Sequence, residues 1–353
     1  MVNMENQQEL KQLDPENMLG HIKTLPDQLW KAWQLGSQLP LPEFGSIDQV
    51  VIAGMGGSAI GGDLLASYAR QTCKIPVFIH RDYGLPAWAE GRKTLVICSS
   101  HSGSTEETIS SLSQAIIRDC SVLTLSTGGK LTEMSRNSGC AAWVFDHTGQ
   151  PRTAVGFSFG MLLALFNRLG FVQVGDPDIQ EAVDAMKQQQ EIIGYDSRLA
   201  TNPAKRLAGQ LVGRMIAIFA AGDNEVIARR WKTQVAELAK AWAQFEGLPE
   251  ADHNTLAGLI NPEEPISKIA AIFLKMESDH ARNKMRLDFT QQQFMLAGML
   301  TDEVKARGNS RLAEMWTLLH FGDYVSYYLA LMYGIDPTPV EALGELKHFL
   351  TQK

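Results

Sequence analysis

The sequence predicts an α/β protein built from two doubly wound parallel-sheet domains with flanking helices. Three observations carry this. Apolar runs at 50–53, 75–79, 94–98, 121–125 and 141–145 recur about every 20–25 residues. Helical patterns at 61–71, 105–118 and 130–137 fill the intervals, the rhythm of βαβ units in a parallel sheet. The theme returns in the second half. There a strand over 214–221 leads through Gly222-Asp223-Asn224 into a helix over 225–245, followed by a strand over 269–274 and helices over 277–286 and 309–332.

Taken in order, residues 1–45 read as an N-terminal helical lead-in. Met18, Ile22 and Leu25 recur at helical spacing, Leu29, Trp30 and Trp33 extend the pattern, and Gln38-Leu39-Pro40-Leu41-Pro42-Glu43 ends it. Residues 46–152 form the first domain. Residues 153–175 form a connecting helix and linker, and 176–353 the second domain with a C-terminal helix. At 353 residues and 45% hydrophobic content, two cores of ordinary size are available. A net charge of −7 argues against a general nucleic-acid binder. The four cysteines show no CxxC spacing, so neither a metal site nor a disulfide framework is expected, which fits a reducing cytoplasm. No signal peptide is visible at the polar start, and no stretch is long enough for a membrane span.

Two turns carry the chemistry of the first domain. Gly54-Met55-Gly56-Gly57-Ser58 follows the strand 50–53, and Ser99-Ser100-His101-Ser102-Gly103-Ser104-Thr105 follows the strand 94–98. A strand-to-helix turn leaves backbone N–H groups unpaired at the positive end of a helix dipole, and Ser and Thr hydroxyls add neutral donors. Gly56, Gly57, Ser58, Ser100, Ser102 and Thr105 therefore make a candidate phosphate grip. Gly54 to Ala59 also fits GxGxxA, a weak dinucleotide signature, and Asp82 supplies a possible ribose partner. The hydroxyl of Ser58 and the second donor-rich turn weigh against that reading. The corresponding turn of the second half, Gly222-Asp223-Asn224-Glu225, carries carboxylates and repels phosphate.

The second half offers titratable groups instead. In Trp231 to Lys240, Val235, Leu238, Ala239 and Trp242 fall on a core-facing helical stripe and Glu237 flanks it. From spacing alone, a solvated Glu237–Lys240 pair is the simpler reading and a half-buried general base the sharper one. His253 lies in a polar loop, where an imidazole is either merely exposed or able to reach a ligand. Arg152 follows Pro151 at the start of the connecting helix, and Lys347 lies on the last helix.

These residues together resemble the bifunctional phosphoglucose/phosphomannose isomerases, which are built from two sugar isomerase (SIS) domains of flavodoxin-like fold. The likeness runs from about 45 to 350. It rests on Gly54 to Ser58, Ser100 to Thr108, Pro151-Arg152, Lys232 to Lys240, Leu248-Pro249-Glu250 with His253-Asn254, and Gly334 to Pro339 with Leu346-Lys347. The resemblance implies that Ser58, Ser100, Ser102 and Thr105 hold a sugar phosphate. It implies that Glu237 moves a proton between C2 and C1 and that Arg152 stabilises the enediolate. His253 assists ring opening from across a homodimer interface, and Lys347 lies by the ring oxygen or hydroxyls. It implies no metal and no cofactor. His101 stands where the family has Tyr, Ser104 for Asn, Ala236 for Asn and Thr255 for Glu. The expected activity is aldose–ketose isomerisation of glucose 6-phosphate and/or mannose 6-phosphate with fructose 6-phosphate. A non-catalytic phosphosugar sensor and an SIS isomerase for another sugar phosphate are the alternatives.

Overall fold

A computed structural model describes residues 4–351. The chain divides into two compact units. One comprises residues 24–184 with 310–312; the other comprises the stretch up to 23, residues 185–309 and residues 313 onward.

The chain begins with α1 (Gln7–Leu13), capped by the Asn6 side chain, and α2 (Met18–Lys23). α3 (Leu25–Gln38) then opens the unit that carries the first sheet. That unit alternates β1 (Gln49–Ala53), α4 (Gly56–Ala69), β2 (Val77–His80), β3 (Thr94–Ser99), α5 (Glu106–Ile117), β4 (Ser121–Ser126), α6 (Gly129–Asn137) and β5 (Ala141–Val144). A 3-10 turn, Pro151–Thr153, leads into α7 (Val155–Arg168). All strand pairs are parallel, in the order β2-β1-β3-β4-β5. Leu95 to Cys98 of the fully buried β3 read as a continuous apolar run because helices cover both faces of a parallel sheet.

α3 packs with α7 in this unit, whereas α1 and α2 belong to the other. Small residues between α3 and α7 allow that packing. A Cβ on Gly156 would stand 2.8 Å from Gln28 Cβ, and one on Gly160 would stand 2.7 Å from Ala32 Cβ. Two helices that approach this closely bury a common face, so α3 and α7 fall in one compact unit with the first sheet.

α8 (Asp176–Ile193) runs through the second division, followed by α9 (Pro203–Leu211), β6 (Met215–Ala221), a 3-10 turn at Gly222–Asn224 and α10 (Glu225–Ala239). Next come β7 (Ala243–Leu248), the 3-10 turns Glu250–His253 and Thr255–Gly258, α11 (Glu263–Ile266) and β8 (Ile269–Lys275). α12 (Ala281–Leu296), β9 (Leu300–Lys305), α13 (Arg311–Met332) and α14 (Glu341–Thr351) complete the chain. The second sheet is parallel in the order β7-β6-β8-β9, matching the order of the first four strands of the other sheet.

Two sequence expectations change here. The helix foreseen over 225–245 ends at Ala239, because Lys240 takes the left-handed conformation (φ 52°), and 243–248 is a strand. Trp242 accordingly lies outside the helical stripe and is exposed. The helix foreseen over 277–286 begins at Ala281 and runs to Leu296, with His280 capping the Arg282 amide.

α13 is buried along nearly its whole length, which explains why it carries polar groups with dedicated partners. His320, fully buried, donates from Nε2 to the Ile22 carbonyl at 3.1 Å. Its Nδ1 is buried with no hydrogen-bond partner among the described residues. Adding a proton there would create a charge with no acceptor, and burial holds the imidazole down at about 4 against an ordinary 6.5. The sign follows. The unfolded chain takes up a proton below 6.5 and the folded chain only near 4, so the contribution is complete above 6.5 and lost as pH falls between these values. The loss amounts to about 3 kcal/mol. Denaturant titrations of the parent and of His320→Gln from pH 7 to pH 4 should show this extra loss in the parent alone; parallel profiles would contradict it.

Candidate active site

The order of the first sheet puts its topological switch point between β1 and β3, the crevice where open α/β sheets bind ligands. Both donor-rich turns leave the sheet at that place. The Ser58 hydroxyl, on the first turn of α4, accepts the His101 amide at 3.0 Å and so ties the two turns together. The Ser100 and Thr105 hydroxyls lie 2.8 Å apart. Ser102 Oγ accepts the Ser104 amide at 3.2 Å.

Counting hydroxyl protons gives the chemistry. Ser58 and Ser102 accept through oxygen, which leaves each O–H to donate. One of Ser100 and Thr105 donates to the other, leaving one more. Three hydroxyl protons and the first amides of α4 and α5 are thus left to donate at these two turns. Ser58 and Ser100 are buried, whereas Ser102 is exposed. Gly56 opens α4 with φ 48°, a left-handed conformation that suits glycine. Gly57 is required by a close approach: a Cβ there would stand 2.6 Å from the Pro151 carbonyl oxygen and 3.2 Å from Arg152 Cα. The glycine turn is therefore seated directly against the 3-10 turn that carries Arg152, whose side chain is buried.

The matching switch point of the second sheet, between β6 and β8, is filled by the chain itself. Glu314 of α13 accepts the amides of Glu277 at 2.6 Å and Ser278 at 3.1 Å. Asp279 accepts the Met276 amide at 3.0 Å and the Asn224 side-chain amide at 2.7 Å. Burial pushes the Asp279 carboxyl above its ordinary range. An internal carboxylate thus takes the amides that an anion would use, a stronger obstacle to phosphate than the acidic residues of 222–225.

Glu237, His253 and Lys347 all belong to the unit of the second sheet and sit on three separate elements. Glu237 is half-buried near the end of α10. It shares a helix face with Arg230 and Gln234, which lie seven and three residues before it. Both bond Asp323 of α13: Arg230 at 2.8 and 3.2 Å, and Gln234 through its side chain. Trp231 adds a bond from its indole N–H to the Leu318 carbonyl at 2.9 Å. The Lys240 ammonium donates to the backbone oxygens of Glu237 (2.8 Å), Leu238 (3.3 Å) and Pro337 (3.2 Å). It closes the C-terminal end of α10, where a cation is favoured.

His253 is exposed at the end of a 3-10 turn. Its neighbour Asp252 anchors that turn to α12 through Arg286 at 2.8 Å and Thr290 at 2.7 Å. Lys347 is exposed on α14. Thr255 bonds the Glu246 carboxylate at 2.7 Å. A carboxylate therefore reaches the position-255 side chain even though Glu itself is absent there.

Comparison with known proteins decides the family. The model of the bacterial phospho-glucose isomerase C-terminal SIS domain matches residues 200–350. A bifunctional phosphoglucose/phosphomannose isomerase of Caldicellulosiruptor bescii is 39% identical over 339 residues, 95% of this chain and 99% of the relative. The chain belongs to the bifunctional phosphoglucose/phosphomannose isomerase family. The Aquifex aeolicus member of this family is 34% identical over 302 residues, 85% of this chain and 90% of the relative. Among solved structures, the tagatose-6-phosphate ketose/aldose isomerase of Escherichia coli aligns with a TM-score of 0.69 at 15% identity. It covers 91% of this chain and 94% of its own, a likeness of fold.

One residue of the first-sheet unit escapes a reading by motif. His147 follows β5 and bonds His101 at 2.9 Å. Its signal is positional: a polar ring just past the carboxyl end of a strand, the side on which these sheets bind ligands.

Proposed function

We propose that the protein interconverts glucose 6-phosphate and mannose 6-phosphate with fructose 6-phosphate through a shared enediol. Membership of the bifunctional isomerase family supports this, and the observation that carries it is the hydroxyl-rich pair of turns joined by the Ser58–His101 bond. Ser58, Ser100, Ser102 and Thr105, with the amides of Gly56 and Gly57, hold the phosphate. Holding it fixes C1 and C2 relative to the catalytic groups, which is worth many powers of ten in rate.

Glu237 takes the C2 proton and returns it to C1. Arg152 meets the negative charge that grows on oxygen. His253 carries a proton during ring opening, contributed across a homodimer interface, and Lys347 orients the ring oxygen or hydroxyls. The two aldoses differ only at C2 and lose that difference in the enediol, so one base serves both. The protein works in the cytoplasm. Among the described residues no helix is long and apolar enough to cross a membrane.

Purified protein incubated with fructose 6-phosphate, with both aldose products scored by coupled assays, tests the proposal. Formation of glucose 6-phosphate and mannose 6-phosphate is expected. Binding of fructose 6-phosphate with neither product would favour a phosphosugar sensor instead.

A further inference from the structure

We propose that His101 and His147 form a positioning pair that locks the Arg152 turn to the phosphate turn. The inference rests on the reading of Arg152 as the cation of the enediolate and goes beyond it by naming what holds that cation in register.

The chain of contacts is continuous within one unit. Ser58 Oγ holds the His101 amide at 3.0 Å, and the amide and hydroxyl of Thr127 hold its carbonyl at 3.0 and 2.8 Å. The His101 backbone is therefore fixed on both sides. Its ring reaches His147, with Nε2 2.9 Å from His147 Nδ1. His147 Nε2 in turn lies 3.5 Å from the Thr153 hydroxyl, the residue next to Arg152. Apolar rings hold the imidazoles in place. Phe145 and Phe157 stack on each other at 5.1 Å, His101 meets the edge of Phe145 at 6.0 Å, and His147 that of Phe157 at 5.8 Å.

Donor bookkeeping gives the chain a direction. The Thr153 hydroxyl donates to the Gln150 carbonyl at 2.8 Å, so its oxygen accepts from His147 Nε2–H. A neutral His147 protonated on Nε2 has a bare Nδ1, which accepts from His101 Nε2–H. Burial holds His101 below the ordinary imidazole range, which keeps that ring neutral at pH 7. Both rings are then used as rigid, oriented linkers. The Arg152 turn is fixed from two directions: Gly57 lets the α4 backbone press on it, and the imidazole pair ties it to the turn that grips the phosphate. Displacing a catalytic cation by about 1 Å costs on the order of a hundredfold in rate.

Tyr at position 101 keeps an aromatic ring ending in a donor, whereas Phe keeps the ring alone. His101→Phe is expected to lower kcat about 10- to 100-fold with KM within about threefold, and His101→Tyr to recover most of that loss. His147→Leu cuts the same chain from its other end and is expected to show the same split, so the test stands if one variant does not fold. Unchanged kcat in a folded His101→Phe or His147→Leu, a loss confined to KM, or a Tyr variant as impaired as the Phe variant would overturn the proposal. The ring nitrogen shifts of His147 in ¹⁵N NMR at pH 7 give a readout that needs no turnover. The Nε2–H tautomer is expected, and the Nδ1–H tautomer would overturn the pair as described. Turnover of the parent in the same assay tests the isomerase reading separately, so failure of one is distinguishable from failure of the other.

Discussion

Glu237→Gln is expected to lower the turnover of fructose 6-phosphate by about a thousandfold while leaving its binding within about twofold. The substitution keeps the shape and a hydrogen-bonding end but removes the basic oxygen, and a positioned base contributes about 10²–10⁴ in rate. A thousandfold corresponds to about 4 kcal/mol of transition-state stabilisation. Binding is spared because the proposed phosphate donors, Ser58, Ser100, Ser102 and Thr105, are all kept in the variant. The proposal of one base for both epimers adds a second condition. Formation of glucose 6-phosphate and of mannose 6-phosphate should fall by the same factor. Initial rates for both products and a calorimetric titration with fructose 6-phosphate read these quantities. A variant that retains more than a tenth of the parental rate would remove Glu237 as the base, and loss of only one product would require a second base for the other epimer.

The two donor-rich turns were legible because their pattern is local. A strand, a glycine or serine turn and a helix lie within a few residues of one another, and the first sheet's strands alternate with helices at a regular interval. The second sheet was less legible at its edges. β9 (Leu300–Lys305) reads Leu-Thr-Asp-Glu-Val-Lys and buries only Val304, so no apolar run announces it. β7 follows α10 with no glycine or proline between them, and the stop is made by Lys240 in a conformation usually left to Gly or Asn. The groups least legible were those whose partners are remote. Glu314 fills a turn 36 and 37 residues earlier in the chain, and His147 meets His101 across 46 residues. Neither has a local motif. The placement of Glu237 belongs between these cases. Its residue type and helix were readable, but the groups that seat the helix were not.

Those groups set the second large effect. Arg230 and Asp323 form an ion pair whose side chains are only 2% and 4% exposed. Removing one partner of such a pair leaves a charge in an apolar interior, and Asp323→Ala is expected to cost about 3–5 kcal/mol. For a unit of this size that is a fall of about 10 °C in unfolding midpoint. The cost comes from desolvation more than from attraction, and this makes a sharp contrast available. Arg230→Met combined with Asp323→Leu removes both charges and fills the space with apolar atoms, so the double variant should recover to within about 2 kcal/mol of the parent. A double variant as unstable as Asp323→Ala would mean that shape, rather than charge burial, governs the contact. An Asp323→Ala protein as stable as the parent would mean that water reaches Arg230. Arg230 lies about two helical turns before Glu237 on the same face of α10, with Gln234 bonding the same Asp323 carboxylate in between. The carboxylate of α13 therefore fixes the face of the helix that carries the proposed base, and its loss should be felt first in the segment around Glu237.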